Sequence, residues 1–283
     1  LAAANSVISA CSFLRAQAER RRQSGEFRVK HIYLIGIGTG NPEHLTIQAI
    51  NAMNAADVIF IPTKGKKKEE LAEVRRDICE RYLRRAGSRI VEFAVPQRTT
   101  ANRAYAGSVD QWHAAIAETY HQLIDDMAEQ ETAAFLVWGD PSLYDSTIRI
   151  IERVKKAGAA DFDFSVIPGI TSVQALAASH RIAINLVGKP VEITTGRRLL
   201  TDRGNAESTV VMLDGEQAFS KLDEPDTEIF WAAYLGTKDE IIRSGRLGEV
   251  GDDILKARAE ARERHGWIMD IYLLRKGRDF EGL

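Results

Sequence analysis

Residues 30–46 read KHIYLIGIGTGNPEHLT. A largely apolar run, 31–35, feeds three glycines at alternate positions, Gly36, Gly38 and Gly40. Asn41-Pro42 then breaks the chain, and a helical pattern starts near Thr46. Strand, glycine loop and helix form the unit that carries ligand sites in α/β folds, where the loop lies at the carboxyl end of a strand. Glycine has no Cβ, so such a loop lets main chain approach a ligand.

A nicotinamide dinucleotide is the first ligand to test, and it fails. Its fingerprint wants a third glycine after G-x-G-x-x, where this chain has Asn41. It also wants an acidic residue at the end of the second strand, to hold a ribose. The second apolar run, 58–61, ends in Pro62-Thr63, and Asp57 stands at its wrong end.

Outward from this loop, strand-like runs at 30–36, 58–61, 89–93, 133–138 and 162–167 alternate with helical patterns at 44–55, 67–85, 101–130 and 142–157. That alternation predicts a mostly parallel sheet covered on both faces. In 67–85, Leu71, Val74, Ile78 and Leu83 sit at helical spacing and the charges read as a solvated face. After Gly169 a helix, 171–179, gives way to runs at 191–195, 208–213, 228–235 and 267–275, with a long helix at 253–265. A second α/β domain with a mixed or largely antiparallel sheet is expected there. The predicted organisation is an N-terminal arm at 1–28, a domain at 29–169 and a domain at 170–283.

The chain has 283 residues, 45% of them apolar, enough for two packed cores. With 38 basic and 40 acidic residues the net charge is -2, which gives no bulk attraction for nucleic acid. Cys11 and Cys79 lack metal-ligand spacing and read as free thiols. No apolar run is long enough to span a membrane, and 7–14 lacks the basic flank of a signal peptide. A soluble cytoplasmic protein without a bound metal is the expectation.

Two further corners repeat the logic of the first. FLVWGDPSLYDST, 135–147, runs a strand into Gly139-Asp140-Pro141, with Asp140 or Ser142 available to cap a helix. VIPGITSVQALAA, 166–178, runs a strand into Pro168-Gly169 and a helix opened by Thr171-Ser172. Each alone is an ordinary strand–turn–helix corner. Three at the ends of parallel strands point to a crevice at one edge of the sheet.

YLIGIGTGNPEHLT, AADVIF, WGDPSLY and VIPGITSVQALAA, in that order and spacing, resemble the tetrapyrrole (corrin/porphyrin) methylase family, over roughly residues 29–276. The resemblance implies a two-domain α/β homodimer that binds S-adenosylmethionine in an inter-domain cleft, yields S-adenosylhomocysteine and methylates a precorrin macrocycle. It implies cofactor contacts from Gly38 and Thr39, the latter where relatives usually have proline. It implies others from Trp138, Gly139, Asp140 and Leu143, with Trp138 in place of the usual small residue. Thr171, Ser172, Met212, Ala233 and Gly236 complete the implied set. A methyl donor of this kind needs its methyl held in line with a carbon nucleophile, which positioning by backbone and small residues supplies. Its adenine needs an apolar slot.

A macrocycle bearing many carboxylates calls for cations. Arg98, Arg197 and Arg198 are the leading candidates, ahead of Lys64, Lys66 and Arg103. The stretches WGDPSLYDST, KPVEITTGRRL, VVMLDGE, IFWAAYLGTKDEI and HGWIMDIYLLRKG resemble the branch of the family that also removes an acetyl group from ring carbon C1. That step needs a base or nucleophile and a donor for the developing oxyanion. Asp145 is the first candidate base, Glu192 the second and His44 the third, and Tyr144 is the candidate donor. The alternatives are a precorrin C-methyltransferase without deacetylation, a ribosomal-RNA methylase and a non-catalytic binding module. Near-zero charge without an aromatic-interleaved basic stripe argues against nucleic acid.

Overall fold

In a computed structural model the described residues are 29–63, 69–96, 105–158, 161–202 and 204–276. They fall into two compact units. The first runs up to Gly38 and from Pro42 to Ile170; the second takes Thr39–Asn41 and everything from Thr171 onward.

Among the described residues the first unit has a five-stranded sheet of β1 (Lys30–Gly36), β2 (Val58–Thr63), β3 (Arg89–Ala94), β4 (Thr132–Val137) and β5 (Phe162–Ile167), in the order β3-β2-β4-β1-β5. Every pairing is parallel. The helices are α1 (Ile47–Ala55), α2 (Glu69–Tyr82), α3 (Tyr105–Asp125) and α4 (Thr147–Lys156). Strand β2 shows why both faces are covered. Val58 and Phe60 point into one cluster, with Tyr120 and Ile124 of α3 and Ile151 of α4. Ile59 and Ile61 point into the other, with Met53 of α1 and Ile78 of α2. A strand buried on both sides reads as a continuous apolar run, and VIFI is one. Cys79 lies in the second cluster as a buried free thiol, and burial pushes its pKa up to about 11.

The second unit opens with α5 (Ser172–His180), followed by β6 (Val191–Thr195), the short α6 (Gly196–Leu199), β7 (Ser208–Met212), β8 (Glu228–Ala233), β9 (Ile241–Arg246), α7 (Leu247–His265) and β10 (Asp270–Arg275). Its sheet order is β6-β7-β10-β8-β9, parallel only between β6 and β7. Strand β9 does not appear among the sequence-based runs. Its IIRSGR carries two arginines and a glycine, and most of it is exposed on the sheet edge, so it shows no apolar alternation. Helix α7 follows it at once and starts six residues before position 253, where apolar periodicity becomes visible.

Candidate active site

Three strand ends of the first unit meet through their main chains. Gly38 and Gly139 form an isolated antiparallel bridge, with Gly139 N–H donating to Gly38 O at 2.7 Å. A Cβ on Gly36 would lie 2.6 Å from Gly169 N, and one on Gly169 would lie 2.2 Å from Gly139 O. Gly36 and Gly169 are therefore required by backbone packing between corners. For Gly36 this is a packing reason that the reading of the first loop as a ligand loop does not supply. Gly139 is different. Its φ is +67°, and a Cβ there would meet nothing within 4 Å, so open space lies before it.

Asp140 ties the second corner to the third. It is 8% exposed. One carboxylate oxygen accepts the Ser142 amide at 2.8 Å and the Ser142 hydroxyl; the other accepts the Gly169 amide at 2.8 Å. Burial pushes its pKa up, but bonds from the Ser142 hydroxyl and the Gly169 and Ser142 amides outweigh this, and the carboxyl lies below its ordinary value.

Neither Asp140 nor Ser142 caps a helix, contrary to expectation. Tyr144 at φ +50° breaks the helical path, and α4 starts only at Thr147. Its cap residue, Ser146, makes no side-chain capping bond; Asp145 Oδ1 instead accepts the Thr147 amide at 2.6 Å. Tyr144 is 43% exposed on this strained turn. A non-glycine residue held in the left-handed region is the kind of strain that collects at functional sites.

Two features here escaped the sequence reading. Arg75 of α2 is 7% exposed, not part of the solvated face. Its Nε donates to Leu136 O at 2.9 Å, and its guanidinium lies 5.8 Å from the Trp138 ring centroid. Burial pulls its pKa down to about 10, against the influence of Tyr120 and Asp145. The signal was its place on the apolar stripe, four residues from both Leu71 and Cys79. The other is His113 of α3, whose Nε2 lies 3.0 Å from Ser146 Oγ. No local motif links residues 33 apart in sequence.

In the second unit, Thr39 is buried, and a Cβ on Gly236 (φ +77°) would lie 2.8 Å from Thr39 Oγ1 and 3.1 Å from Asn41 N. Two of the predicted cofactor residues, Thr39 and Gly236, are thus in close contact. Met212 and Ala233 stand at one end of the sheet on either side of β10, where Ile271 pairs with Met212 and with Ala232. Leu213 follows at φ +54° and is 64% exposed.

The turn carrying Met212 and Leu213 is pinned from below by buried Asp214. This carboxylate accepts the Ala218 amide and the Tyr272 hydroxyl, both at 2.7 Å. Arg258 donates to Asp214 O at 2.9 Å and pairs with Asp270 at 2.8 Å, both side chains being 6% exposed. Burial raises the Asp270 pKa against the pull of Arg258.

The remaining candidates are placed as follows. Thr171 forms a capping box with Gln174 at the start of α5, the helix opened by Ser172. Leu143 is half-buried, and its amide donates to Asp140 O at 3.3 Å. Glu192 of β6 accepts the Gly204 amide at 3.1 Å. His44 ends a 3-10 turn, and its Cβ fills the space a side chain on Gly38 would need. Arg197 and Arg198 are exposed on α6, the latter paired with Asp202. Arg98, Arg103, Lys64, Lys66 and Cys11 lie outside the described residues. Among the described residues no cluster of His, Cys, Asp and Glu is grouped to hold a metal ion, and no helix is long and apolar enough to cross a membrane.

The family model for tetrapyrrole (corrin/porphyrin) methylases matches residues 31–251, which takes in all three corners and the Met212 and Gly236 turns. The chain belongs to the tetrapyrrole methylase family. Among curated relatives of this tetrapyrrole methylase is the precorrin-6A synthase [deacetylating] of Sinorhizobium sp. The two are 64% identical over 258 residues, covering 90% of this chain and 99% of the relative. Among solved structures, a cobalamin-synthesis-related protein (CobF) of Corynebacterium diphtheriae superposes with TM-score 0.75 and 39% identity, over 88% of this chain and 99% of that one. The uroporphyrin-III C-methyltransferase of Thermus thermophilus, complexed with S-adenyl homocysteine, shares the fold. Its TM-score is 0.52 at 16% identity, over 87% of this chain and 97% of that one.

Proposed function

We propose that this tetrapyrrole methylase transfers a methyl group from S-adenosylmethionine to C1 of precorrin-5 and releases the C1 acetyl group as acetate. The products are precorrin-6A and S-adenosylhomocysteine, in aerobic cobalamin biosynthesis. The observation that carries this reading is the 64% identity to the deacetylating synthase across 99% of that relative's length. A cytoplasmic homodimer is part of the proposal.

The residues present suit the methyl donor. The open space before Gly139 admits a ligand against the main chain. Half-buried Met212 with exposed Leu213, and buried Ala233 at the same sheet end, offer an apolar surface for an adenine. When bound, S-adenosylmethionine supplies an electrophilic methyl group. Gly38, Gly139 and Asp140 set the first unit's corner, and Trp138 and Leu143 flank it. Thr171 and Ser172 offer the start of α5; Thr39 and Gly236 fix the second unit's loop. In-line transfer to C1 needs positioning, which main chain and small residues of this kind supply.

Tyr144 presents its phenol from a strained turn and donates to the acetyl carbonyl oxygen. Asp145 holds that turn through the Thr147 amide, and Glu192 braces β6 through Gly204. Arg197 and Arg198, exposed at the end of β6, meet substrate carboxylates, as does Arg98. The test is a single turnover with precorrin-5 and labelled S-adenosylmethionine. Methylated product with acetate supports the reading. Methylated product that keeps its acetyl group assigns a non-deacetylating methyltransferase instead.

A further inference from the structure

If the deacetylation reading holds, the reaction needs a nucleophile and a base for the acetyl carbonyl, and Asp145 and Glu192 are both occupied in local backbone bonds. Beside Asp145 stands a pair that is not. Ser146 Oγ lies 3.0 Å from His113 Nε2, within the reach a nucleophile needs of its base. The serine hydroxyl caps nothing: the Thr147 amide is taken by Asp145, and Ser146 makes no side-chain capping bond. Both residues are half-buried, so they are accessible and still partly desolvated. The pair sits at the carboxyl end of β4, two residues past strained Tyr144, within the stretch WGDPSLYDST.

We propose that Ser146 and His113 form the deacetylating dyad. Ser146 Oγ attacks the acetyl carbonyl carbon while its proton passes to His113 Nε2. The tetrahedral adduct collapses, the bond from the acetyl carbon to C1 breaks, and its electron pair goes to C1, which takes the methyl group. The acetyl group is left on Ser146. His113 loses its proton to solvent, then takes one from a water that attacks the ester, and passes it to Ser146 Oγ as the acyl–oxygen bond breaks, releasing acetate and restoring Ser146.

The surroundings suit this task. Burial, Arg149 and Arg153 hold the His113 pKa below its ordinary value of 6.5, with Asp110, one turn earlier on α3, opposing them. The imidazole is then neutral and ready to accept a proton near neutral pH. Asp110 is itself bound to Arg153 at 2.8 Å. Arg149 is exposed three residues after Ser146, one turn along α4, where it can meet a substrate carboxylate.

The experiment uses the full chain with S-adenosylmethionine and precorrin-5, following acetate in a single turnover, with S-adenosylhomocysteine binding by calorimetry as the control for folding. Ser146→Ala and His113→Gln are compared with the unaltered enzyme; the glutamine can still bond to Ser146 but cannot take its proton. Each variant is expected to release acetate at least about 100-fold more slowly with the ligand still bound. Either variant binding S-adenosylhomocysteine normally and releasing acetate at the unaltered rate overturns the dyad. Methylation without acetate release by the unaltered enzyme removes the deacetylation reading, and the dyad with it.

Discussion

The Asp140 carboxylate accepts the Gly169 amide at 2.8 Å, across 29 positions of sequence. Through it the turn after β4 and the turn after β5 become one object. The Gly38–Gly139 bridge adds the turn after β1. Asp140→Asn keeps one acceptor and removes the charge. We expect a loss of about 1–3 kcal/mol, read by urea denaturation, because a buried donor is left poorly satisfied. The pH dependence has a definite sign. The folded-state pKa of Asp140 lies below the ordinary 3.8. Its contribution is therefore present above that value and is lost as pH falls through the folded pKa. The unaltered protein should lose stability on acidification more steeply than the asparagine variant.

Gly169→Ala should be among the most damaging small substitutions in the chain. The new Cβ would lie 2.2 Å from Gly139 O and 2.7 Å from Gly36 C. Both are main chain in a closed cluster, so the expected cost is about 3 kcal/mol or more. Gly188→Ala is the control. Gly188 has positive φ, +69°, where Gly169 does not, and a Cβ there meets nothing within 4 Å. Its expected cost is about 1–2 kcal/mol, from the left-handed backbone alone. Equal losses at the two sites would contradict the packing argument.

In the second unit, Arg258→Met leaves Asp270 buried without its cation. Breaking a buried pair from one side costs about 3–5 kcal/mol. The Asp214 carbonyl loses the same guanidinium. The turn that presents Met212 and Leu213 should loosen, and S-adenosylhomocysteine should bind more weakly than stability loss alone explains. Calorimetry at a temperature where the variant is folded measures this.

The acidic limb of acetate release should have its midpoint below pH 6.5, because His113 is held below that value. Arg149→Gln removes one of the cations that depress it, so the acidic limb of the rate profile should move to higher pH. A limb that stays in place assigns the titration to another group.

Much of the fold is written locally. VIFI at 58–61, apolar at every position, announces a strand buried on both faces. Thr46 and Thr171 announce helix starts, and each side chain does accept an amide there. What failed to show was set by tertiary context. Strand β9 is an exposed, charged edge that carries no periodicity. The start of α4 was misread because Tyr144 adopts a left-handed backbone that only the surrounding corner enforces. Gly36 was legible as special, but its reason, packing against the main chain of Gly139 and Gly169 in the turns after two other strands, was not. Nor could sequence bring His113 to Ser146, or bury Arg75 under Trp138.

In the proposed reaction one enzyme couples methyl gain to acetyl loss. The most direct measurement is a single turnover of the full chain with precorrin-5 and methyl-labelled S-adenosylmethionine, counting acetate and S-adenosylhomocysteine together. Coupling gives equal amounts of the two, with the label on C1 of the product. S-adenosylhomocysteine formed without acetate would contradict it.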